Sequence, residues 1–184
     1  MPDAIEPSEL VSNMTLLPRF LCDEMLGRLC RYLRAAGYDT LFDNNGLPDR
    51  DLLRLCKEQG RYFLTQDQLI IEHNAARGVA FILPQGDLDQ LAAIAGAQFQ
   101  LDWISHAFTR CLEDNTPLLE ANDTALQRIP PGARMAGKPY TVCPVCNRVY
   151  WQGSHYQRMR ARLTKWQIVT LPVLPANTPR KDAC

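Results

Sequence analysis

The chain has 184 residues, of which 46% are hydrophobic and 22% charged, and its formal net charge is zero. These values are ordinary for a soluble globular protein, and the length allows one domain plus a small module. No apolar run approaches the about 20 residues of a membrane-spanning helix, and the acidic N-terminal stretch lacks the pattern of a secretory signal. Several of the seven cysteines lie in apolar patterns as reduced thiols would, which favours a cytoplasmic protein without a membrane partner.

Charge is divided unevenly along the chain. Residues 1–123 hold 19 acidic residues against 10 lysines and arginines, whereas residues 124–184 hold a single acid, Asp182, against 10. Such asymmetry indicates an acidic site in the first part and a surface that binds a polyanion in the second.

The first part of the chain alternates strand and helix patterns. After a polar leader over residues 1–17, we predict strands at 20–22, 38–42, 62–65 and 79–84, with helices at 26–36, 49–59 and 69–77 and from residue 87 onward. Strands separated by helices of this length form βαβ units, which give a mostly parallel sheet. The fold class is therefore α/β.

The second part has a different character. We predict a module over residues 105–167, after a first domain over 18–104, and a tail over 168–184. Its candidate elements are a strand at 106–111, a polar stretch up to 138, a segment at 140–151 that contains a CxxC motif, and a helix from Ser154 to Trp166.

Acidic residues follow the predicted strands. Asp23 and Asp67 stand directly after strands, and Asp49 occupies the N-cap position of a helix. Because βαβ crossovers share one hand, we expect these acids to reach one crevice, where open α/β sheets bind ligands. Carboxylates hold Mg²⁺ or Mn²⁺, and such ions can assist phosphodiester cleavage. Structural roles compete with this hypothesis, since Asp49 is a sound helix cap and Asp39 and Asp43 suit turns.

Two groups of basic residues accompany the acids. Arg28 and Arg31 lie on the first helix beside Asp23, where they would suit a phosphate backbone. The stretch 148–165 interleaves aromatic and basic side chains, and its candidate contacts are His155, Arg158 and Arg162. Arginine binds phosphate bidentately and exposed aromatic rings stack on unpaired bases, so RNA is the expected partner. The competing interpretation is a surface helix anchored by an apolar face.

The CxxC motif, Cys143 to Cys146, is half of a tetrahedral zinc site. The other half should lie upstream, where Cys111 is followed by Asp114 in the place of a second cysteine. Three hypotheses remain: zinc held by these four residues, zinc held with another ligand such as His106 or Cys184, or a relic without metal.

Several segments together resemble a known family, the Mut-seven C-terminal type of RNase, a PIN-like domain with a C-terminal zinc ribbon. The resemblance covers about residues 19–166. The segments that carry it are Phe20-Leu21-Cys22-Asp23-Glu24-Met25-Leu26-Gly27-Arg28-Leu29, Tyr32-Leu33-Arg34, Gly37-Tyr38-Asp39-Thr40, Phe63-Leu64-Thr65-Gln66-Asp67, Arg110-Cys111-Leu112, Cys143-Pro144-Val145-Cys146 and Val149-Tyr150-Trp151-Gln152-Gly153-Ser154-His155-Tyr156-Gln157-Arg158-Met159.

This resemblance implies a PIN-like, Rossmann-type sheet and metal-dependent cleavage of RNA. It assigns Asp23, Asp49 and Asp67 as metal-binding catalytic acids, with Asp51 as a further candidate metal ligand. It also implies that Arg28 and Arg31 face the site or the substrate. The chain departs from the family pattern twice. Gln66 replaces the arginine of the usual Thr-Arg-Asp, and Asp114 replaces the second cysteine of the first CxxC.

The leading hypothesis is therefore a ribonuclease that uses Mg²⁺ or Mn²⁺, with structural zinc in the ribbon. The alternative is a non-catalytic protein that binds tRNA or ribosomal RNA and retains a relic acidic site. A phosphate-receiving regulatory domain is a third hypothesis, disfavoured because it gives the CxxC motif no role and because the expected lysine after a later strand is absent.

Overall fold

The computed structural model describes residues 17–43, 45–134 and 139–169. The predicted leader, except Leu17, and the predicted tail beyond residue 169 lie outside these ranges. Four parallel strands form the central sheet in the order β2-β1-β3-β4. They are β1 (Phe20–Cys22), β2 (Thr40–Phe42), β3 (Tyr62–Thr65) and β4 (Ala80–Ile82). The predicted parallel α/β sheet is confirmed.

Helices cover both faces of this sheet, as the burial of alternate strand residues requires. Those of the first part are α1 (Gly27–Ala35), α2 (Asp49–Gln59) and α3 (Leu88–Phe99). Phe20 and Cys22 point into a core shared with α1 and α3. Leu21 points the other way, into a smaller core against α2. The sheet is thus the middle of three layers.

The second part forms a small antiparallel sheet in the order β5-β6-β7. Its elements are β5 (Leu119–Glu120), α4 (Asp123–Gln127), β6 (Tyr140–Val142), β7 (Val149–Trp151) and α5 (Ser154–Val169). Helix α5 leaves this sheet and places Met159, Leu163 and Trp166 in the core that α1 and α3 share. The domain boundary near residue 104 stays a prediction.

Three local predictions were wrong. The segment predicted as a helix at 69–77 forms two 3₁₀ helices, Gln68–Glu72 and Asn74–Ala76. The buried residues of these two helices are Ile70 and Ala76. They are six positions apart, so in an α-helix they would not lie on the same face. Residues 106–111 form turns with one isolated bridge, because Phe108 adopts a φ of 63°.

The N-cap assignment of Asp49 is the third. Pro48 is the cap residue of α2, since its carbonyl oxygen accepts hydrogen bonds from the N–H groups of Asp51 and Leu52. Asp49 is the first residue of the helix.

Asp39 anchors the amino end of the sheet, away from the strand tips. Its carboxylate accepts hydrogen bonds from Arg61, Arg19 and Asn115. Burial raises the pKa of Asp39, but these hydrogen bonds outweigh it and hold that pKa well below its ordinary value. Asp39 is therefore a structural residue.

Candidate active site and metal centre

Asp23 and Asp67 lie at the carboxyl ends of neighbouring strands, and Thr65 joins them. The Thr65 hydroxyl donates a hydrogen bond to Asp23 Oδ2 (2.5 Å) and accepts one from the N–H of Asp67 (2.9 Å). The N–H of Gln66 also donates to Asp23 Oδ2 (3.3 Å). Thr65 is buried, whereas Asp23 is half-buried and Asp67 exposed. The two acids thus share one support at the edge where parallel sheets bind ligands.

Each of these two acids also holds the turn that follows it. Asp23 Oδ1 accepts a hydrogen bond from the N–H of Met25 (3.0 Å), and Asp67 Oδ1 accepts one from the N–H of Leu69 (2.9 Å). Both acids are therefore N-caps of short 3₁₀ helices. A capping role leaves further lone pairs on each carboxylate for another ligand.

Asp43 lies beside Asp23 on the other side. Its N–H donates to the carbonyl oxygen of Cys22, which extends the β1–β2 ladder by one residue. The Asp43 carboxylate accepts hydrogen bonds from the N–H groups of Asn45 (3.3 Å) and Leu47 (3.2 Å). Asp43 therefore stabilises the loop after β2, as expected of an aspartate in a turn.

Asp49 and Asp51 lie on the first turn of α2. Asp49 Oδ2 is 3.9 Å from Nε2 of His73, and Asp51 Oδ1 is 3.2 Å from a guanidinium nitrogen of Arg54. Nothing in the sequence pattern singled out His73, because it becomes a neighbour of α2 only through the crossover after β3. Within the described ranges, the strand-tip acids and those of α2 do not gather within 4.8 Å of one another as a group of three.

Exposed apolar side chains surround the strand-tip acids. Met25, Leu47 and Leu69 are 57%, 47% and 66% exposed. Each is the residue whose N–H is bound by Asp23, Asp43 or Asp67. The acidic edge is therefore a polar centre with an apolar rim.

The arginines of α1 face different surroundings. Arg28 is exposed and has no hydrogen bond or ion pair within the described part of the chain. Arg31 pairs with Glu113 (2.8 Å). Arg34 is buried and donates hydrogen bonds to the carbonyl oxygens of Thr40, Leu112 and Glu113. Of the three, only Arg28 has no partner among the residues that the structure describes.

The basic residues of α5 also differ in their surroundings. Arg162 pairs with Asp89 of α3 (2.7 Å), and its guanidinium lies over the rings of Tyr32 and Trp166. His155 and Arg158 are exposed and have no ion pair or hydrogen bond with any other described residue. No acidic residue lies close to α5 in the sequence. The acid that pairs with Arg162 is Asp89, from the first part of the chain.

Cys111, Asp114, Cys143 and Cys146 form one cluster. Their ligand atoms all lie within 4.8 Å of one another, and no other group of this kind occurs among residues 17–43, 45–134 and 139–169. The Sγ atoms of Cys111 and Cys146 are 3.6 Å apart, and the Asp114 carboxylate lies 3.2 and 3.4 Å from Cys143 Sγ. The N–H of Cys146 points to Cys143 Sγ (3.4 Å).

This cluster could hold a metal ion such as zinc. Zinc bonds of about 2.3 Å to sulfur and about 2.1 Å to oxygen, at tetrahedral angles, separate the ligand atoms by about 3.6–3.8 Å. The observed separations are close to these values. Of the three hypotheses for the CxxC motif, the geometry matches the Cys₃Asp set. His106 is not in the cluster, and Cys184 lies outside the described residues.

The described part of the chain contains no helix that is both long enough and apolar enough to span a membrane. A parallel sheet with acids at its carboxyl edge, joined to a small antiparallel sheet with a Cys₃Asp cluster, places the protein among α/β proteins with an appended ribbon.

The family follows from the sequence itself. The model of the Mut7-C RNAse domain family matches residues 18–163, and the chain belongs to this family. The resemblance to the Mut-seven C-terminal type is confirmed. The family description indicates a nuclease-like protein with RNA as its substrate. Neither the curated proteins nor the solved structures gave a match.

Proposed function

We propose that this protein is a ribonuclease that depends on a divalent metal ion and hydrolyses RNA phosphodiester bonds at the acidic edge of its parallel sheet. The main support is the Thr65 hydroxyl, which holds Asp23 and the backbone of Asp67 together at the tips of two neighbouring strands. Membership of the Mut7-C RNAse domain family supports RNA as the substrate.

The proposed metal ligands are Asp23 and Asp67, with Asp49 and Asp51 from α2. Carboxylate oxygens are the hard donors that Mg²⁺ and Mn²⁺ prefer. Mg²⁺ is usually bound by one or two carboxylates together with water and substrate phosphate, so these acids can serve without gathering into one close group. A bound ion would supply a water activated for in-line attack on the phosphodiester. Thr65 and the N–H of Gln66 orient the Asp23 carboxylate for that role.

RNA would be held by polar and basic side chains that have no partner among the described residues. Arg28 lies on α1, the helix that follows Asp23, and His155 and Arg158 lie at the start of α5. Arg31 and Arg162 belong to the same proposed surface, although each also pairs with an acid of the protein. Charged contacts of this kind bind RNA without regard to sequence.

The test is cleavage of a labelled single-stranded RNA by the full chain with Mg²⁺ or Mn²⁺. We expect Asp23→Asn and Asp67→Asn each to lower the rate at least about a hundredfold, because a carboxylate ligand of the ion is lost. Glu58→Gln is the matched control, since Glu58 is an exposed acid at the far end of α2. The control should cleave as the wild type does.

Two outcomes would contradict the catalytic proposal. One is equal cleavage by wild type and both variants. The other is a wild type that binds RNA in a salt-dependent way and cleaves it with neither ion, which would identify a non-catalytic RNA-binding member of the family.

The Cys₃Asp cluster is proposed to hold structural zinc. Four ligands are the number that a tetrahedral structural site needs, and such sites leave no position open for a substrate. Zinc would fix the turn at 111–114 against the β6–β7 hairpin and would take no part in cleavage.

A further inference from the structure

A cavity of about 440 Å³ lies between the ribbon, α1 and the beginning of α5. This volume is within the range of small-molecule sites. The cavity is separate from the acidic edge, because Asp23, Asp49 and Asp67 are not among the residues that line it. Its walls combine aromatic rings with cationic side chains.

Aromatic rings form much of the apolar wall, and three of them matter most for binding. They belong to Phe108, Trp151 and Tyr156. The rings of Phe108 and Tyr156 pack with their centroids 4.3 Å apart. Phe108 has a φ of 63°, a conformation that bulky residues rarely adopt, and its N–H is tied to the carbonyl oxygen of Ala35 (2.7 Å). Backbone strain of this kind is concentrated at ligand sites.

The glycine two residues after Trp151 leaves room for its indole ring. Trp151 is 36% exposed, so part of its indole remains open. A Cβ atom at Gly153 would lie 2.8 Å from the indole nitrogen, and the N–H of Gly153 donates to the carbonyl oxygen of Trp151 (2.8 Å). Any side chain at position 153 would displace the ring.

Two arginines converge on one point at the cavity wall. Arg31 and Arg148 both donate to the same oxygen of Glu113, at 2.8 and 3.1 Å. Their guanidinium groups are therefore close enough to bind one anion together, and each retains donors that Glu113 does not occupy. His155 adds a third polar group to the lining.

We propose that this cavity binds one unpaired nucleotide of the RNA, with its base against the aromatic wall and its phosphate at Arg31 and Arg148. The proposal rests on the proposed function only in taking RNA as the ligand. Aromatic rings stack on any base, and arginine pairs match the shape of a phosphate. A base that is paired in a duplex cannot enter a cavity, so the ligand is single-stranded RNA.

The Cys₃Asp cluster contacts one residue of the cavity wall. The hydroxyl of Tyr150, another lining residue, lies 3.1 Å from Cys111 Sγ and accepts a hydrogen bond from the N–H of Leu112 (3.1 Å). The shape of the cavity is therefore connected to the proposed zinc site through this hydroxyl.

The test is fluorescence anisotropy of a short, labelled single-stranded oligouridylate with the full chain in buffer without added Mg²⁺ or Mn²⁺. We expect Trp151→Leu to weaken binding about tenfold or more, because base stacking is lost, and Trp151→Phe to retain most of it. Arg148→Gln should weaken binding about tenfold and lower the salt slope by about 0.7, as loss of one phosphate contact predicts. Glu113→Gln should strengthen binding several-fold, because it removes the acid that competes with phosphate.

Arg77→Gln is the matched control, since Arg77 is an exposed arginine outside the cavity. It should bind as the wild type does. Equal binding by wild type, Trp151→Leu and Arg148→Gln would overturn the proposal, as would equal affinity for duplex RNA.

If adenosine monophosphate bound as tightly as the oligomer, the cavity would be a site for free nucleotides instead. Cleavage by the Asp23 and Asp67 variants is measured separately. The binding result can therefore be interpreted even if the nuclease proposal fails.

Discussion

At the scale of single residues, the side chain that organises the acidic edge is not an acid. Thr65 is buried, and its hydroxyl both donates to Asp23 and accepts from the N–H of Asp67. A valine has nearly the same shape but can do neither. Substitution would leave the Asp67 N–H without its partner and would remove the shortest of the three hydrogen bonds that orient the Asp23 carboxylate.

We therefore predict that Thr65→Val lowers kcat for RNA cleavage about tenfold or more while changing KM little, since a positioning bond is lost rather than a substrate contact. The free energy of unfolding should fall by about 1–3 kcal/mol, the effect of leaving a buried donor unsatisfied. Thr65→Ser keeps the hydroxyl and should retain most of the activity. Loss of activity in both variants to the same extent would show that packing, and not the hydroxyl, is responsible.

At the scale of elements, the ribbon depends on ligands from two distant segments. Cys111 and Asp114 come from the turn before β5, and Cys143 and Cys146 come from the β6–β7 hairpin. The small sheet has three short strands, which offer few hydrogen bonds and little apolar burial of their own. A metal ion that binds all four ligands would supply much of the stability of this unit.

We predict that the purified protein contains stoichiometric zinc, measured by inductively coupled plasma mass spectrometry. Asp114→Ala should lose most of it, because a ligand is removed, whereas Asp114→Cys should hold zinc at least as tightly as the wild type, because thiolate is the softer ligand. Glu120→Ala, an exposed acid in β5, is the control and should retain the metal. Full zinc occupancy in Asp114→Ala would contradict the assignment of Asp114.

At the scale of the whole molecule, α5 joins the ribbon to the parallel sheet. Leu163 is fully buried in the core that contains α1 and α3. Asp89 of α3 accepts hydrogen bonds from Arg162, Lys165 and the indole nitrogen of Trp166. These hydrogen bonds, first of all that from Arg162, hold the pKa of Asp89 well below its ordinary value.

We predict that Leu163→Ala destabilises the protein by about 2–5 kcal/mol, the range for a large side chain removed from a packed core. Because the core is shared, denaturant unfolding followed by circular dichroism and by tryptophan fluorescence should shift together. Ile168→Ala is the matched control on the same helix, since Ile168 is 78% exposed, and it should change stability by no more than about 0.5 kcal/mol. Separate transitions, with only one shifted, would show that the two parts fold independently.

Much of the fold follows from local signals. The apolar runs at 20–22 and 62–65 and the helical spacing of Leu29 and Leu33 depend only on neighbouring residues, and the structure confirms them. Parallel pairing then follows from the alternation of strand and helix, which is how Asp23 and Asp67 could be expected at one edge. The prediction of a helix at 69–77 was wrong. The segment has no stripe of apolar side chains on one helical face that the core could bury.

The sequence by itself therefore determined most elements of the parallel sheet and its helices, the direction of the strands and the types of residue available for chemistry. The tertiary structure decided which of these residues meet. Arg28, Arg31 and Arg34 follow one another at equal spacing on α1. Among the described residues, Arg28 has no partner, Arg31 pairs with Glu113 and Arg34 is buried against carbonyl oxygens. Leu112 and Glu113, which bind Arg31 and Arg34, lie about 80 positions away in the chain. Spacing within a helix sets where a side chain points, but only the path of the distant chain decides what it contacts.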